Sequence, residues 1–370
     1  MAKRRNNGEG SFYFDEAKQI YRAMIATPSG KRLTKSNKNE EVVKDWLNEQ
    51  RLLIGRGQHI DPHGVTLGHW IDEWLDTYAK HSVRPRTYDS YVSLLAHTEP
   101  IRNKLLVKLM PVHIQKLYNS LSVLSGTTRK HLHYCLSGCL KQAVINKLIH
   151  SNPIESVEAP KAKRKNIEIF TDEEIKKLME AAEGYKYPVI IHIAFGTGMR
   201  ISEILALEWT DFDMKNNKVT IQRTVHYSMS AGTHTQETKT ENSRRTIELF
   251  PDTMREIKKH QLKYGQDGKS GLLFPAIHGK HIPPTTYLRY YFKPIREKVG
   301  IEKGFHAFRH THATQLIAAG VPIQEVSRRL GHSRVSTTLD IYTHAVETDE
   351  AKAMKAMGGI YKRIKAVKKA

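Results

Sequence analysis

What most limits how this chain can fold is a stretch with little that a core could bury. Residues 155–168, "ESVEAPKAKRKNIE", carry Lys161, Lys163, Arg164 and Lys165 and few apolar side chains. Unpaired charges are too costly to bury, so the segment has to run through solvent. It reads as a basic linker that divides the 370 residues into separate cores, as expected for a chain longer than one typical domain. Directly after it, "TDEE" at 171–174 offers a capping box of Thr171 and Glu174, ahead of Ile175, Leu178 and Met179. A new domain begins there.

Two patterns precede the linker. Residues 11–34, "SFYFDEAKQIYRAMIATPSGKRLT", alternate apolar and polar side chains through Tyr21, Ala23 and Ile25, with turn signals at Asp15-Glu16 and Pro28-Ser29-Gly30. Period-two alternation between turns predicts three short strands. A helix from about Asn39 to Ile54 follows, with Val42, Val43, Trp46, Leu47 and Leu53 as its apolar stripe and Gly55 and Gly57 at its end. From Thr66 to His150 the spacing is helical throughout. Helices are expected at Pro85 and Pro111, proline being favoured in a first turn. The longest is expected from about Thr127 to Leu148, on Leu132, Leu136, Leu140, Val144 and Leu148. Cys135 and Cys139 flank its apolar stripe and read as reduced thiols.

After the linker come a helix through "YPVIIHIAF", a "GTG" turn, a helix from Arg200, strands near 218–225 and 244–249, and then mostly helices. The expected fold class is multidomain and mainly α with small β-sheets, an α+β chain. The expected boundaries are 1–57, 65–154, the linker 155–168, 169–346 and a basic tail, 347–370. No apolar run approaches the ~18–20 residues of a membrane span. "MAKRRNNGEG" leads into no apolar segment of a secretion signal. A cytoplasmic protein with no membrane partner is expected. Lys and Arg total 59 against 38 Asp and Glu, a net charge of +21. Such an excess is the electrostatic footprint of a polyanion binder, and nucleic acid is the first suspect.

Four local signals in the last domain bear on chemistry. In "GTGMRISEILALEW" two glycines precede Arg200, whose forked guanidinium could bind a phosphate beside free backbone N–H groups, with Glu203 three residues on to hold it. "THTQETKTENSRRTIELF" reads as two strands joined by a polar turn, with Lys239 near the tip as a possible proton donor and Arg244 and Arg245 as nearby cations. "GFHAFRHTHATQLIAAG" is a helix in which His306 and Arg309 share a face. Its His306 and His310 could instead hold a metal, although the segment offers no carboxylate ligand. "LGHSRVSTTLDIYTHA" puts His332 at a break after "PIQEVSRRL", Ser333 or Ser336 as a cap, and Tyr342 near the end of a new helix anchored by Leu339 and Ile341. Taken singly, Tyr342 would be a packing residue. Two arginines, two histidines, a lysine and a tyrosine without an acidic pair suggest metal-free phosphoryl transfer to a tyrosine.

The order Arg200, Lys239, His306-x-x-Arg309, His332, Tyr342 resembles the tyrosine recombinase family of phage and conjugative-transposon integrases. "TGMRISEILAL", "HAFRHTHAT" and "LGHSRVSTTLDIYTH" stand where the family has its three motif boxes, and the resemblance spans essentially the whole chain. It implies a site-specific recombinase that integrates and excises a mobile element. Tyr342 would attack the scissile phosphodiester to give a 3′-phosphotyrosyl intermediate, Arg200 and Arg309 would clamp its oxygens, and Lys239 would protonate the leaving 5′ oxygen. His306 would act as acid or base, and His332 would hydrogen-bond the phosphate. No cofactor, metal or ATP is implied.

By the same resemblance, 1–57 would be an arm-type DNA-binding domain, 65–154 a helical core-binding domain and 169–346 a mixed α/β catalytic domain. The implied partners are double-stranded DNA attachment sites of core and arm type, three further copies in a homotetramer on a Holliday junction, and an excisionase and a DNA-bending factor. Association with the nucleoid follows. Arg22, Lys31 and Arg32 on the N-terminal strands and Lys161, Lys163, Arg164 and Lys165 in the linker are the candidate DNA contacts.

Overall fold

Leu132, Leu136 and Leu140 stand one helical turn apart and are fully buried, which holds residues 126–145 as a single long helix. The computed structural model describes residues 9–28, 30–55, 64–162, 167–237, 244–265, 271–332, 335–342, 354 and 357–358. The chain divides into two units, 1–164 and 165–370.

The first unit opens with strands β1 (Ser11–Asp15), β2 (Ile20–Ala26) and β3 (Arg32–Asn37), an antiparallel sheet in that order, followed by helix α1 (Glu40–Gly55). Ala23 and Ile25 face α1 and pack on Val43 and Leu47. The register puts Arg22 opposite Tyr13 and Arg32 opposite Ala26. Alternation along the strands therefore turns these two arginines to the sheet face away from α1. Val42, expected in the apolar stripe of α1, is exposed. The stripe is narrower than the sequence suggests because a three-stranded sheet covers only Val43 and Leu47 fully.

The helical part follows as α2 (Leu67–Trp74), which continues through a π-helical turn, Leu75–Ala79, into α3 (Lys80–Ser82), then α4 (Pro85–Ala96), α5 (Pro111–Ser120) and α6 (Gly126–Ile145). Proline begins both α4 and α5, and Ser125 caps α6 by accepting from the Thr128 N–H. Buried Trp70 donates its indole N–H to the Cys139 carbonyl at 3.0 Å, tying α2 to α6. The long helix stops at Ile145 rather than Leu148, because Lys147 takes a positive φ of 57°. Burial pushes the Cys135 thiol up to about 12, as for a protonated thiol packed in the core.

In the second unit the capping box appears as read: Thr171 accepts from the Glu174 N–H at 3.2 Å and Glu174 accepts from the Thr171 N–H at 2.8 Å. It starts α7 (Asp172–Ala182), followed by α8 (Val189–Thr197), α9 (Ile201–Ile204), β4 (Phe212–Asp213), β5 (Lys218–Ile221), β6 (Arg223–Ser228), β7 (Gly232–Glu237) and β8 (Arg245–Glu248). Then come α10 (Pro251–Tyr264), α11 (Pro284–Tyr287), α12 (Lys293–Lys298), α13 (Ala307–Ala318), α14 (Ile323–Leu330) and α15 (Val335–Tyr342). α8 is apolar almost all round and lies at the centre of the main core, between α7, α10 and α13.

Two expectations need correcting here. The strands flanking residues 238–243 do not form a hairpin: β7 pairs with β6, whereas β8 pairs with β5 in a separate β4-β5-β8 sheet. Strand pairing is decided by which edges meet in space, and sequence proximity across a turn is only a guide to it. The helix from Arg200 is a single turn with Arg200 as its N-cap, because the Leu207 carbonyl is taken by the Leu273 N–H at 2.9 Å and the chain turns away. Among the described residues no helix is long and apolar enough to cross a membrane.

Candidate active site

The site begins at the end of α8. Gly198 ends that helix with φ 66°, and a Cβ there would lie 2.7 Å from Leu330 and 2.8 Å from His312, so both the turn and the close approach require glycine. The reversal delivers Arg200, whose Nη1 donates to Glu203 Oε1 at 3.0 Å while its backbone N–H donates to Glu203 Oε2 at 2.9 Å. Glu203 is 3% exposed and holds a side chain that keeps 38% of its own surface open. An arginine held on one edge and open on the other can still offer donors to an anion.

α13 supplies Arg309, 2% exposed, which donates to the Gly198 carbonyl at 2.9 Å and to the Leu330 carbonyl at 2.7 Å. It thus joins the turn before Arg200 to the end of α14. His306 stands at the N-cap of α13, with the His310 ring edge-on at 4.7 Å. Beyond α14, Gly331 takes φ 67° and His332 follows, its Nδ1 2.8 Å from the Thr338 hydroxyl, which α15 buries completely. Four of the expected residues, Arg200, His306, Arg309 and His332, are thereby gathered from three separate segments.

Their charges are coupled. Burial first, then His310, Arg309 and Arg200, lowers His306 to about 4. Burial first, then Arg309, Arg200, Arg245 and His306, lowers His332 to about 4. Both imidazoles are therefore neutral at neutral pH beside a concentration of guanidinium charge, a setting that favours an anion. Glu203 ionises below the usual carboxylate range: burial opposes ionisation, and the Arg245 and Arg200 guanidiniums overcome it.

Sequence reading missed several supporting residues. Arg245, treated there only as a neighbouring cation, is 7% exposed and donates from both terminal nitrogens to Glu203, at 3.2 and 2.9 Å, and from Nε to the Arg329 carbonyl at 2.7 Å. Arg329 donates to His312 Nε2 and to the Gly196 and Glu248 carbonyls, each at 3.1 Å. His312 Nδ1 lies 2.8 Å from the Phe195 carbonyl. Nε2 is then the acceptor, so Nδ1 carries the proton. No local motif flags these partners, since each lies more than fifteen residues away in sequence.

Burial, followed by Arg329, lowers His312 to about 4 as well. Histidines whose folded-state values lie below 6.5 bind fewer protons folded than unfolded, so their contribution is full above about 6.5 and is lost as the pH falls through about 4. For His312, 5% exposed, the loss is about 3 kcal/mol. Thermal unfolding between pH 7.5 and 4.5 is expected to show a midpoint that falls below pH 6.5, with a shallower fall in His312→Leu. A midpoint unmoved across that range would contradict the assignment.

Other sequence candidates are placed as follows. Lys239, Lys163, Arg164 and Lys165 and the cap candidate Ser333 lie outside the described residues. Tyr342 is the last residue of α15, and its side chain is outside the described part. Leu339, expected to anchor that helix, is 44% exposed; buried Thr338 bonded to His332 is the anchor instead. Ser336 lies within α15 and does not cap it. Lys31 and Arg32 are exposed, Arg22 lies 3.2 Å from Asp15 in an ion pair, and Lys161 is exposed beside Glu158. Among the described residues the group with metal-ligand spacing is Glu183, His192 and Glu256, and it includes neither His306 nor His310.

A model of the phage integrase family matches residues 168–348, and one of the phage integrase N-terminal SAM-like domain matches residues 66–122. A "Tyrosine recombinase XerC-like" protein of Caldanaerobacter subterraneus subsp. tengcongensis is 30% identical over 402 residues, spanning 98% of this chain and all of that one. Among solved structures, the Tn1549 transposon integrase in complex with a circular intermediate DNA aligns with a TM-score of 0.69 at 19% identity, over 79% of this chain and 99% of that one. A lambda integrase tetramer bound to a Holliday junction aligns with a TM-score of 0.58 at 17% identity, over 90% and 98%. The structural likenesses speak for the fold, and the sequence relative spans the whole chain: the protein belongs to the phage integrase family of tyrosine recombinases and is a site-specific DNA recombinase.

Proposed function

We propose that the chain integrates and excises a mobile element by cutting one strand at a time with Tyr342. The observation that carries the proposal is the gathering of Arg200, His306, Arg309 and His332 from three separate segments, with both histidines held neutral by burial and, after it, by guanidinium charge. A scissile phosphate supplies the missing negative charge. Arg200 and Arg309 bind its non-bridging oxygens, and His332 hydrogen-bonds it. His306, neutral before DNA arrives, takes the Tyr342 phenol proton; the bound phosphate offsets the arginines and lets the imidazole keep it. The phenolate oxygen bonds to phosphorus, the bond to the 5′ oxygen breaks, and Lys239 gives that oxygen a proton. The free 5′-hydroxyl of another strand reverses the steps, so energy is conserved in the phosphotyrosine bond.

Residues 65–154 and 169–346 bind the core site in this reading, and the sheet of residues 11–37 reads arm DNA with Arg22, Lys31 and Arg32. The linker lysines with Arg164 hold backbone phosphates. Four copies act on two duplexes through a Holliday junction, with the tail 347–370 docked on a neighbour. An excisionase and a DNA-bending factor set direction, and the protein works on the nucleoid.

The test is a suicide substrate nicked near a candidate attachment-site junction, with the covalent complex read on a denaturing gel. A protein–DNA adduct through Tyr342 is expected without added metal or ATP, and a regulator that merely binds DNA yields none. Non-specific binding should also weaken steeply with salt, log K falling by ~0.9 per phosphate contacted for each decade of salt. Affinity unchanged between low and moderate salt would exclude a backbone-dominated interface.

A further inference from the structure

Every arginine in the site touches either Glu203 or a backbone carbonyl, and one of them touches both. Arg245 lies on β8, outside the three segments that carry the reacting groups. Its Nη1 and Nη2 take the two oxygens of Glu203, the same carboxylate that holds Arg200 from the side and from its backbone N–H. Its Nε holds the carbonyl of Arg329, three residues before His332. The fit is close: a Cβ on Gly331 would sit 2.6 Å from Arg245 Nη1, so the turn before His332 is packed directly on this guanidinium. Arg245 and Glu203 are 7% and 3% exposed, beyond the reach of a duplex lying on the surface.

We infer that Arg245 is a positioning residue for the phosphate site: through Glu203 it orients Arg200, and through the Arg329 carbonyl it holds the turn that presents His332. A carboxylate with two oxygens can serve two guanidiniums only if their planes are set relative to each other. Without Arg245, Glu203 would be free to rotate about its own side chain and carry Arg200 with it. The Gly331 turn would lose its contact on the same side. Arg309 grips the adjacent Leu330 carbonyl from α13, so the end of α14 is held from two directions, and each arginine links it to the segment bearing Arg200. Misplacement of such groups by about 1 Å is enough to slow a reaction by a hundredfold.

The inference rests on the roles proposed for Arg200 and His332, and its test separates the two. Single-turnover cleavage of the nicked suicide substrate and non-covalent DNA affinity are measured side by side. Arg245→Lys keeps the buried charge but replaces the planar two-nitrogen fork with a single ammonium nitrogen. It is expected to cleave ten- to a hundredfold more slowly while its Kd stays within twofold of the parent. Glu203→Gln is expected to show the same division. The double variant should lose no more than the worse single one, since both act through one contact. Parent-like cleavage by Arg245→Lys, losses that add, or a fall in affinity that matches the fall in rate would each overturn the inference. Arg245→Gln is the second variant for folding; if it and Arg245→Lys both melt below the assay temperature, Arg245 is a strut of the fold and the inference fails. Arg200→Ala is run in parallel: normal cleavage there removes the site reading itself, whereas its loss beside an unaffected Arg245→Lys removes only the positioning role.

Discussion

Tyr342→Phe is expected to bind attachment-site DNA as the parent does and to form no covalent complex with it, a loss of cleavage on the order of 10⁴-fold or more. The expectation follows from the atom removed. Phenylalanine keeps the ring and takes away the phenolic oxygen that bonds to phosphorus in the proposed reaction. Binding rests on a chain with twenty-one excess positive charges, to which one neutral hydroxyl adds little. Adduct is read on a denaturing gel and affinity by mobility shift. An adduct surviving in Tyr342→Phe would mean that another residue is the nucleophile, and equal loss of binding would mean that Tyr342 acts through packing.

Arg309→Lys should slow cleavage less than Tyr342→Phe but lower stability as well. The guanidinium reaches the carbonyls of Gly198 and Leu330 in different parts of the chain, at 2.9 and 2.7 Å. An ammonium on a flexible stem cannot serve both and still face a phosphate. Cleavage is expected to fall 10²–10³-fold, the usual effect of removing one donor to developing anionic charge. Stability is expected to fall by about 1–3 kcal/mol for a buried carbonyl left without a donor. Thermal melting and single-turnover cleavage measure the two losses. A variant that melts earlier but cleaves at the parent rate would show that Arg309 only braces the turn. Arg200, which keeps part of its surface open, should show the rate loss with a smaller change in melting.

Much of the architecture was legible because its signals are local. The capping box at Thr171 and Glu174, proline at the start of α4 and α5, and the leucines of α6 each concern residues within about one helical turn, where backbone geometry is regular. The same holds for the glycine ends of α8 and α14, which place Arg200 and His332. Features set by distant contacts were not legible in the same way. The strands around Lys239 looked like a hairpin because they adjoin in sequence, yet β7 and β8 belong to different sheets. Leu339 looked like the anchor of α15 because it is apolar, yet Thr338 is the buried side chain, since its hydroxyl has the His332 ring as a partner.

By itself the sequence determined which residues could carry the chemistry and on what kind of element each would lie: an arginine after a glycine turn, a histidine and an arginine on one face of a helix, a histidine at a break and a tyrosine at a helix end. Only the tertiary structure decided what those residues are to one another. It brought Glu203 within reach of Arg245, forty-two positions away, and it buried His306 and His332 beside guanidinium charge, which lowers both imidazoles. The reason is physical: hydrophobic period and capping act over a few bonds, whereas desolvation and charge pairing depend on which distant segments are packed together, and no local pattern encodes that.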